Sequence, residues 1–429
     1  MFENLLFQDR AKEQLTSMIA GEKVPPALLF TGPEGSGKLT AALECARVLS
    51  CEKEGLWNCE CGQCNRHRSL SHPDLLLFGP RNLPQEPSVT AEYFMHSPNL
   101  TSYYAFVRSI RKLLKHFDPV LWAGEEARLS KAIASIESLE EQLQEIQTLV
   151  SRSKIQTLDT IVNRVVETAS SLEAFFPDGI PIFMVRNMAA WAVIAPVGKR
   201  KTVILQNADT ANESTRNAML KILEEPPETV RFILTSSRRA AVIATILSRS
   251  RLISFEPRTS AQAQHIVSRL FRSQEKVENI SEFFHKNSPF PPDKAEDEAS
   301  LFVGALLDRA MGKDAAMTGD RASNLARRAR DQKGSALEVL RAVAEQTGSF
   351  GSKNTKFSNS FFVFMRAVAQ QLASIAADPT SSVALIMYVD RLTSKLREMG
   401  VQYRSFNRSP ELLLEAFVDM FGEYHESSV

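Results

Sequence analysis

The run Ala27-Leu28-Leu29-Phe30, leading straight into Thr31-Gly32-Pro33-Glu34-Gly35-Ser36-Gly37-Lys38, constrains this chain more than any other segment. Four consecutive apolar residues have the length of a strand buried on both faces. The pattern predicts a helix next, from about Leu39 to Leu49. Strand, glycine-rich turn and helix N-terminus in that order make a phosphate cradle, because free backbone N–H groups and the helix dipole face an anion together. The expected fold is α/β, a parallel sheet flanked by helices, with Gly32, Gly35, Gly37 and Lys38 as nucleotide contacts.

The same pattern shows defects in metal chemistry. The residue after the loop lysine normally supplies a hydroxyl to Mg²⁺, but Leu39 stands there. Thr40, counted with the nucleotide-binding candidates, lies one residue on and is rotated by about 100° around the helix, so it is not expected to replace that hydroxyl. A second ATPase strand should end in Asp-Glu, the Asp holding metal and the Glu orienting water. The strand pattern Thr202-Val203-Ile204-Leu205 ends instead in Gln206-Asn207, which cannot neutralise a cation. Asp209 lies further on and reads as a helix cap. The Mg²⁺ site is therefore degenerate, and Gly32, Gly37 and Lys38 leave ATP binding open.

Residues 5 to 22 carry helical spacing, and Leu75-Leu76-Leu77-Phe78 and Phe232-Ile233-Leu234-Thr235 read as further strands. Residues 79 to 100, with four prolines, read as loop. Between Glu125 and Phe176 there is neither Gly nor Pro. Leu129, Ile133, Ile136, Leu139, Leu143, Ile146 and Val150 form one apolar seam there. Ile155, Leu158, Val162, Val165, Ala169 and Leu172 form another. The register breaks at Ser151 to Lys154, which predicts a helical hairpin on the surface. A helix is expected from Glu213 to Leu223, stopped by Pro226-Pro227, and another from Ala240 to Leu247. Residues 259 to 429 read as helices, with breaks near 287 to 298 and at Gly348 to Ser352.

Charge excludes a global attraction to nucleic acid: 51 basic against 50 acidic residues leave a net +1. No apolar run approaches the roughly 20 residues of a membrane span, and the N-terminus lacks a signal-peptide pattern, so the cytoplasm is the expected compartment. In that compartment Cys51, Cys59, Cys61 and Cys64 read as a zinc site. The tail Cys61-Gly62-Gln63-Cys64-Asn65-Arg66-His67 leaves two choices for the fourth ligand, Cys59 or His67. His72, in Ser71-His72-Pro73-Asp74, reads as structural, and Cys45 as core.

With these segments, Asn217-Ala218-Met219-Leu220-Lys221-Ile222-Leu223-Glu224-Glu225-Pro226-Pro227, Ser248-Arg249-Ser250 and Asn407-Arg408-Ser409-Pro410-Glu411, the chain resembles bacterial DNA polymerase III clamp-loader subunits of the gamma/tau and delta-prime group. The resemblance implies an AAA+ P-loop domain over 1–257, with a zinc module at 51–67 and a helical-hairpin insertion at about 100–178. A small helical lid over 258–335 and an all-α collar over 336–429 would follow. It implies an arginine finger at Arg249, acting in trans on a neighbour's ATP, in a hetero-pentamer that loads a sliding clamp onto primed DNA. Loss of the metal-binding residues makes a hydrolysis-deficient, delta-prime-like subunit the expectation, with an active gamma/tau-like ATPase as the alternative.

Overall fold

The computed structural model describes residues 1–79, 86–151, 158–172, 175–177, 179–287, 292–331 and 359–406, with positions 338, 416, 417 and 420 besides. It divides into two compact units, Met1–Phe284 and His285–Val429.

The first unit is built on five parallel strands: β1 (Ala27–Thr31), β2 (Leu75–Phe78), β3 (Lys201–Leu205), β4 (Val230–Ser236) and β5 (Arg251–Ser254). They lie in the order β2-β3-β4-β1-β5. Four strands are those the apolar runs predict. The fifth has no apolar run, because at an edge it buries one residue in four, Ile253.

Alternate residues along each strand serve opposite faces. Leu28, Phe30, Leu75, Leu77, Ile204 and Ile233 pack on α1 (Asp9–Ala20) and α2 (Lys38–Ser50) through Leu15, Ala42, Cys45 and Ala46. Leu29, Leu76, Val203, Leu205, Phe232 and Leu234 face the other way. Between β1 and β2 a short helix, α3 (Gly62–Arg68), carries Cys64 and His67.

On that second face lie α4 (Glu86–His96), α5 (Leu100–Lys115), α6 (Glu126–Ser151), α7 (Leu158–Leu172), α8 (Ile182–Ala192) and α9 (Glu213–Glu224). The expected loop over 79 to 100 is corrected by α4: Pro87 falls in its first turn, where a missing N–H breaks no helical bond. Pro98 precedes the cap Asn99, whose side chain accepts from Thr101 and Ser102 N–H to start α5. The pair α6 and α7 packs together as expected, although the predicted turn at 152–154 lies outside the described residues. Leu139, Leu143, Ile146, Val162, Val165 and Leu172 are buried in one cluster continuous with the sheet's second face. The insertion is thus an extension of the core, not a surface appendage. Ile133, expected in the seam, is 41% exposed, and Ala132 is buried beside it.

After β4 the chain forms α10 (Ala244–Arg249), then β5 and α11 (Ser260–Phe271), with α12 (Ile280–Lys286) beyond. The described residues of the second unit are helical: α13 (Pro292–Met311), α14 (Asp320–Asp331), α15 (Asn359–Ala376) and α16 (Val383–Phe406), packed through Phe302, Leu307, Phe364, Leu372 and Leu392. The motif at 407–411 and most of the last thirty residues lie outside the described residues. No helix among the described residues is long and apolar enough to cross a membrane.

Candidate functional site

The glycine-rich loop sits at the carboxyl end of β1, where open α/β sheets bind ligands. Gly32 takes φ +152°, and a Cβ there would lie 2.3 Å from the Phe255 carbonyl oxygen, so only glycine fits. Gly37 takes φ +97° at the N-cap of α2. Gly35 completes the turn between them. Lys38 is buried, and its Nζ donates to the carbonyls of Gly32 and Pro33, both at 2.6 Å. Burial pulls its pKa down to about 8, against the pull of Glu34 and Asp209. Leu39 turns into the apolar cluster beneath the loop, while Thr40 is half-buried on the first turn of α2.

At the end of β3 stands the uncharged Gln206, on the side of His116, at the end of α5. His116 is buried, and its Nδ1 donates to the Lys112 carbonyl at 2.9 Å. Asn207 adopts a left-handed backbone, φ 48°, and its N–H donates to Thr235 Oγ1 at 3.2 Å. The cap expected at Asp209 is corrected: Asn212 caps α9 by accepting from Thr215 N–H. The Asp209 side chain is 2% exposed and pairs with Arg238 at 3.2 Å through Oδ2. Its Oδ1 is buried without a hydrogen-bond partner.

Two further residues at this site escaped sequence reasoning. Arg258, over two hundred residues from the loop in sequence, donates to the Gly35 carbonyl and, at 3.1 Å, to that of Leu6. Gln8 exchanges two hydrogen bonds with the backbone of Glu256, 2.8 and 3.0 Å, which seats the N-terminal segment beside the loop. No local pattern flags either contact.

The four cysteines come together as a second site. Their Sγ atoms all lie within 4.8 Å of one another, and all four residues are buried. Cys51 Sγ is 3.6 Å from Cys59 Sγ and 3.9 Å from Cys61 Sγ. A tetrahedron with Zn–S of ~2.3 Å has edges of about 3.8 Å, so the donor set fits a metal ion. None of the four is in a disulfide. Cys51 Sγ accepts the N–H groups of Lys53 and Gly55, both at 3.3 Å. Burial raises the Cys61 thiol, but amide donors of Glu52 and Cys64 outweigh it and hold the pKa at about 6. His67 is outside this group. Its ring stacks on His72 at 4.0 Å, and burial, with His72 and Arg47 nearby, holds it neutral. His72 belongs to a bracing network: its Nδ1 accepts Asp74 N–H at 3.0 Å and its Nε2 meets Gln63 Oε1 at 2.8 Å. The Asp74 carboxylate accepts the N–H groups of Val197 and Gly198.

Arg249 ends α10, one-third exposed, with Nη2 donating to Glu224 Oε1 at 2.7 Å and Nη1 to the Thr245 carbonyl at 3.0 Å. Glu224 is the last residue of α9, so the Leu-Glu-Glu-Pro-Pro segment and the Ser-Arg-Ser segment meet through this pair.

Sheet, glycine loop, inserted cysteine module and flanking helices together define a P-loop domain of the AAA+ class. Residues 7–259 match the family described as DNA polymerase III, delta subunit, and the chain belongs to it. The DNA polymerase III subunit delta' of Bacillus subtilis (strain 168) is 40% identical over 77 residues, 18% of this chain and 23% of that protein, so the match spans under a quarter of the relative. A solved DNA polymerase III, gamma subunit-related protein from Thermotoga maritima is 18% identical with a TM-score of 0.27, covering 56% of this chain and 79% of that one.

Proposed function

We propose that this chain is a delta-prime-type clamp-loader subunit, an AAA+ module that does not turn over ATP and lends Arg249 to the nucleotide of a neighbour. The observation that carries the reading is the end of β3. Where a motor needs two carboxylates stand the uncharged Gln206 and Asn207, and Leu39, in the place of the metal-binding hydroxyl, packs into an apolar cluster. The loop keeps its glycines and Lys38, so nucleotide can be held there without hydrolysis.

Arg249 is suited to act outward. Its pair with Glu224 is partly exposed, a kind worth about 0–1 kcal/mol, so a triphosphate competes for the guanidinium at small cost. A guanidinium stabilises charge developing on a transferred phosphoryl group. Zn²⁺ held by Cys51, Cys59, Cys61 and Cys64 would brace the end of α2 away from the loop, as structural zinc does. The partners are other loader subunits in a hetero-pentamer, joined through a C-terminal collar, with the sliding clamp and primed DNA engaged by the assembly, in the cytoplasm.

A reconstituted complex tests this. Arg249→Ala should cut clamp-dependent ATPase at the neighbour's site by about 10³–10⁵, the range for arginine fingers, and leave assembly intact. Lys38→Ala should leave turnover unchanged. The reverse pattern overturns the reading.

One observation favours an active, gamma/tau-like ATPase instead. Asp209 offers a buried, unpartnered carboxylate oxygen on the side of Lys38. ATP turnover by the isolated chain, lost in Asp209→Asn, would establish that alternative.

A further inference from the structure

Arg47 sits on α2, nine residues beyond the loop lysine, and is 2% exposed. A guanidinium has five N–H donors, and here each has an acceptor. Nε donates to Glu44 Oε2 at 2.8 Å, and Nη2 to Glu44 Oε1 at 2.7 Å and to the Gly55 carbonyl at 2.9 Å. Nη1 donates to the Leu56 carbonyl at 3.1 Å and to Cys64 Sγ at 3.0 Å. Glu44 Oε1 also accepts the Phe2 N–H at 3.2 Å.

We infer that Arg47 is a positioning residue of the metal site: it donates to the Cys64 thiolate and locks the cysteine loop onto the helix that begins at the phosphate loop. The inference rests on the reading of the four cysteines as a zinc site. The chemistry follows from charge. Four thiolates around a dication carry a net charge of −2, and Glu44 adds a buried carboxylate close by. A fully hydrogen-bonded guanidinium offsets both and fixes the Cys64 sulfur in direction. Lysine, with three donors, cannot reach two carbonyls, a carboxylate and a sulfur at once. The contact is longer-range than it looks in sequence: Arg47 and Cys64 lie on different helices, α2 and α3, and the Gly55–Leu56 turn between them is held by the same group. Metal binding and the seating of α2 are therefore one linked event.

The test uses the full-length purified protein, with Zn²⁺ affinity read by competition with a chromophoric chelator and Co²⁺ substitution read by absorption. Arg47→Met should weaken Zn²⁺ binding about 10–100-fold, the range for lost outer-shell partners, and shift the sulfur-to-Co²⁺ charge-transfer band. Arg47→Lys should recover part of the affinity. Glu44→Gln, which keeps the bond to Cys64, should bind Zn²⁺ as the parent does. Should the uncompensated Glu44 prevent Arg47→Met from folding, the double variant Glu44→Gln/Arg47→Met removes that burden and must show the same weakening and band shift. A folded variant lacking Arg47 with parental affinity and spectrum overturns this inference alone. A parent chain that takes up neither metal overturns the zinc reading and this inference with it.

Discussion

Replacing Cys59 with Ser and His67 with Phe separates the two candidates for a fourth metal ligand. The geometry favours the cysteine: Cys59 Sγ stands 3.6 Å from Cys51 Sγ, close to the tetrahedral edge, and His67 stacks on His72 outside the group. Structural zinc in small modules is worth about 10–16 kcal/mol at neutral pH, so an equal share for each of four ligands is roughly 2.5–4 kcal/mol. At about 1.4 kcal/mol per tenfold, Cys59→Ser should weaken Zn²⁺ binding by about two to three orders of magnitude. His67→Phe preserves the buried ring and its stacking and should leave one Zn²⁺ per chain at parental affinity. Elemental analysis gives the stoichiometry, and chelator competition gives the affinity. If His67→Phe loses the metal while Cys59→Ser keeps it, the geometric argument is wrong.

Lys38 makes a pH prediction. Its folded pKa lies near 8, below the ordinary 10.5, so between those values the unfolded chain binds the extra proton and the first unit gains stability as pH rises. Anion affinity at the loop runs the opposite way, full below about pH 8 and lost above it as the ammonium discharges. ATP-analogue titration at several pH values reads this slope, and Lys38→Arg, charged throughout, should flatten it; an unchanged slope refutes the assignment. In the insertion, Leu139→Ala should cost about 2–5 kcal/mol in denaturant unfolding, since the side chain is fully buried. Ile133→Lys, at an exposed position, should change stability by less than about 0.5 kcal/mol, and equal effects would mean the α6 face is misassigned.

The fold class was legible because its carriers are local. Four strands announce themselves as short apolar runs, and the loop residues Gly32, Gly35, Gly37 and Lys38 are contiguous in sequence. The cysteines were legible as a set for the same reason, but choosing between Cys59 and His67 needed the turn that swings α3 back onto Cys51. Helix α4 was hidden by its prolines, whose meaning depends on whether they fall in a first turn. Strand β5 was hidden by Arg251 and Ser254, polar residues at a sheet edge. Arg47 and Arg258 gave no signal, and Asp209 looked like a cap, since a buried charge looks like a solvated one until its partners are known.

The pairing of β2 with β3 has a consequence for how the chain folds. Residues 79–200 separate the two strands, although Leu75 to Phe78 run in register with Thr202 to Leu205. Closing a floppy loop of about 120 residues costs roughly 1.5 kcal/mol more in chain entropy than closing one of about 20. Helices form early and locally, and α5, α6 and α7 consolidate the span before its ends meet, which makes the closing unit compact. Until then the outer edge of β3 stays unpaired, with its backbone donors open to any extended chain nearby. The long insertion thereby couples completion of the β2 edge of the sheet to its own folding, and a chain whose insertion folds slowly would leave β3 open to strand-to-strand aggregation.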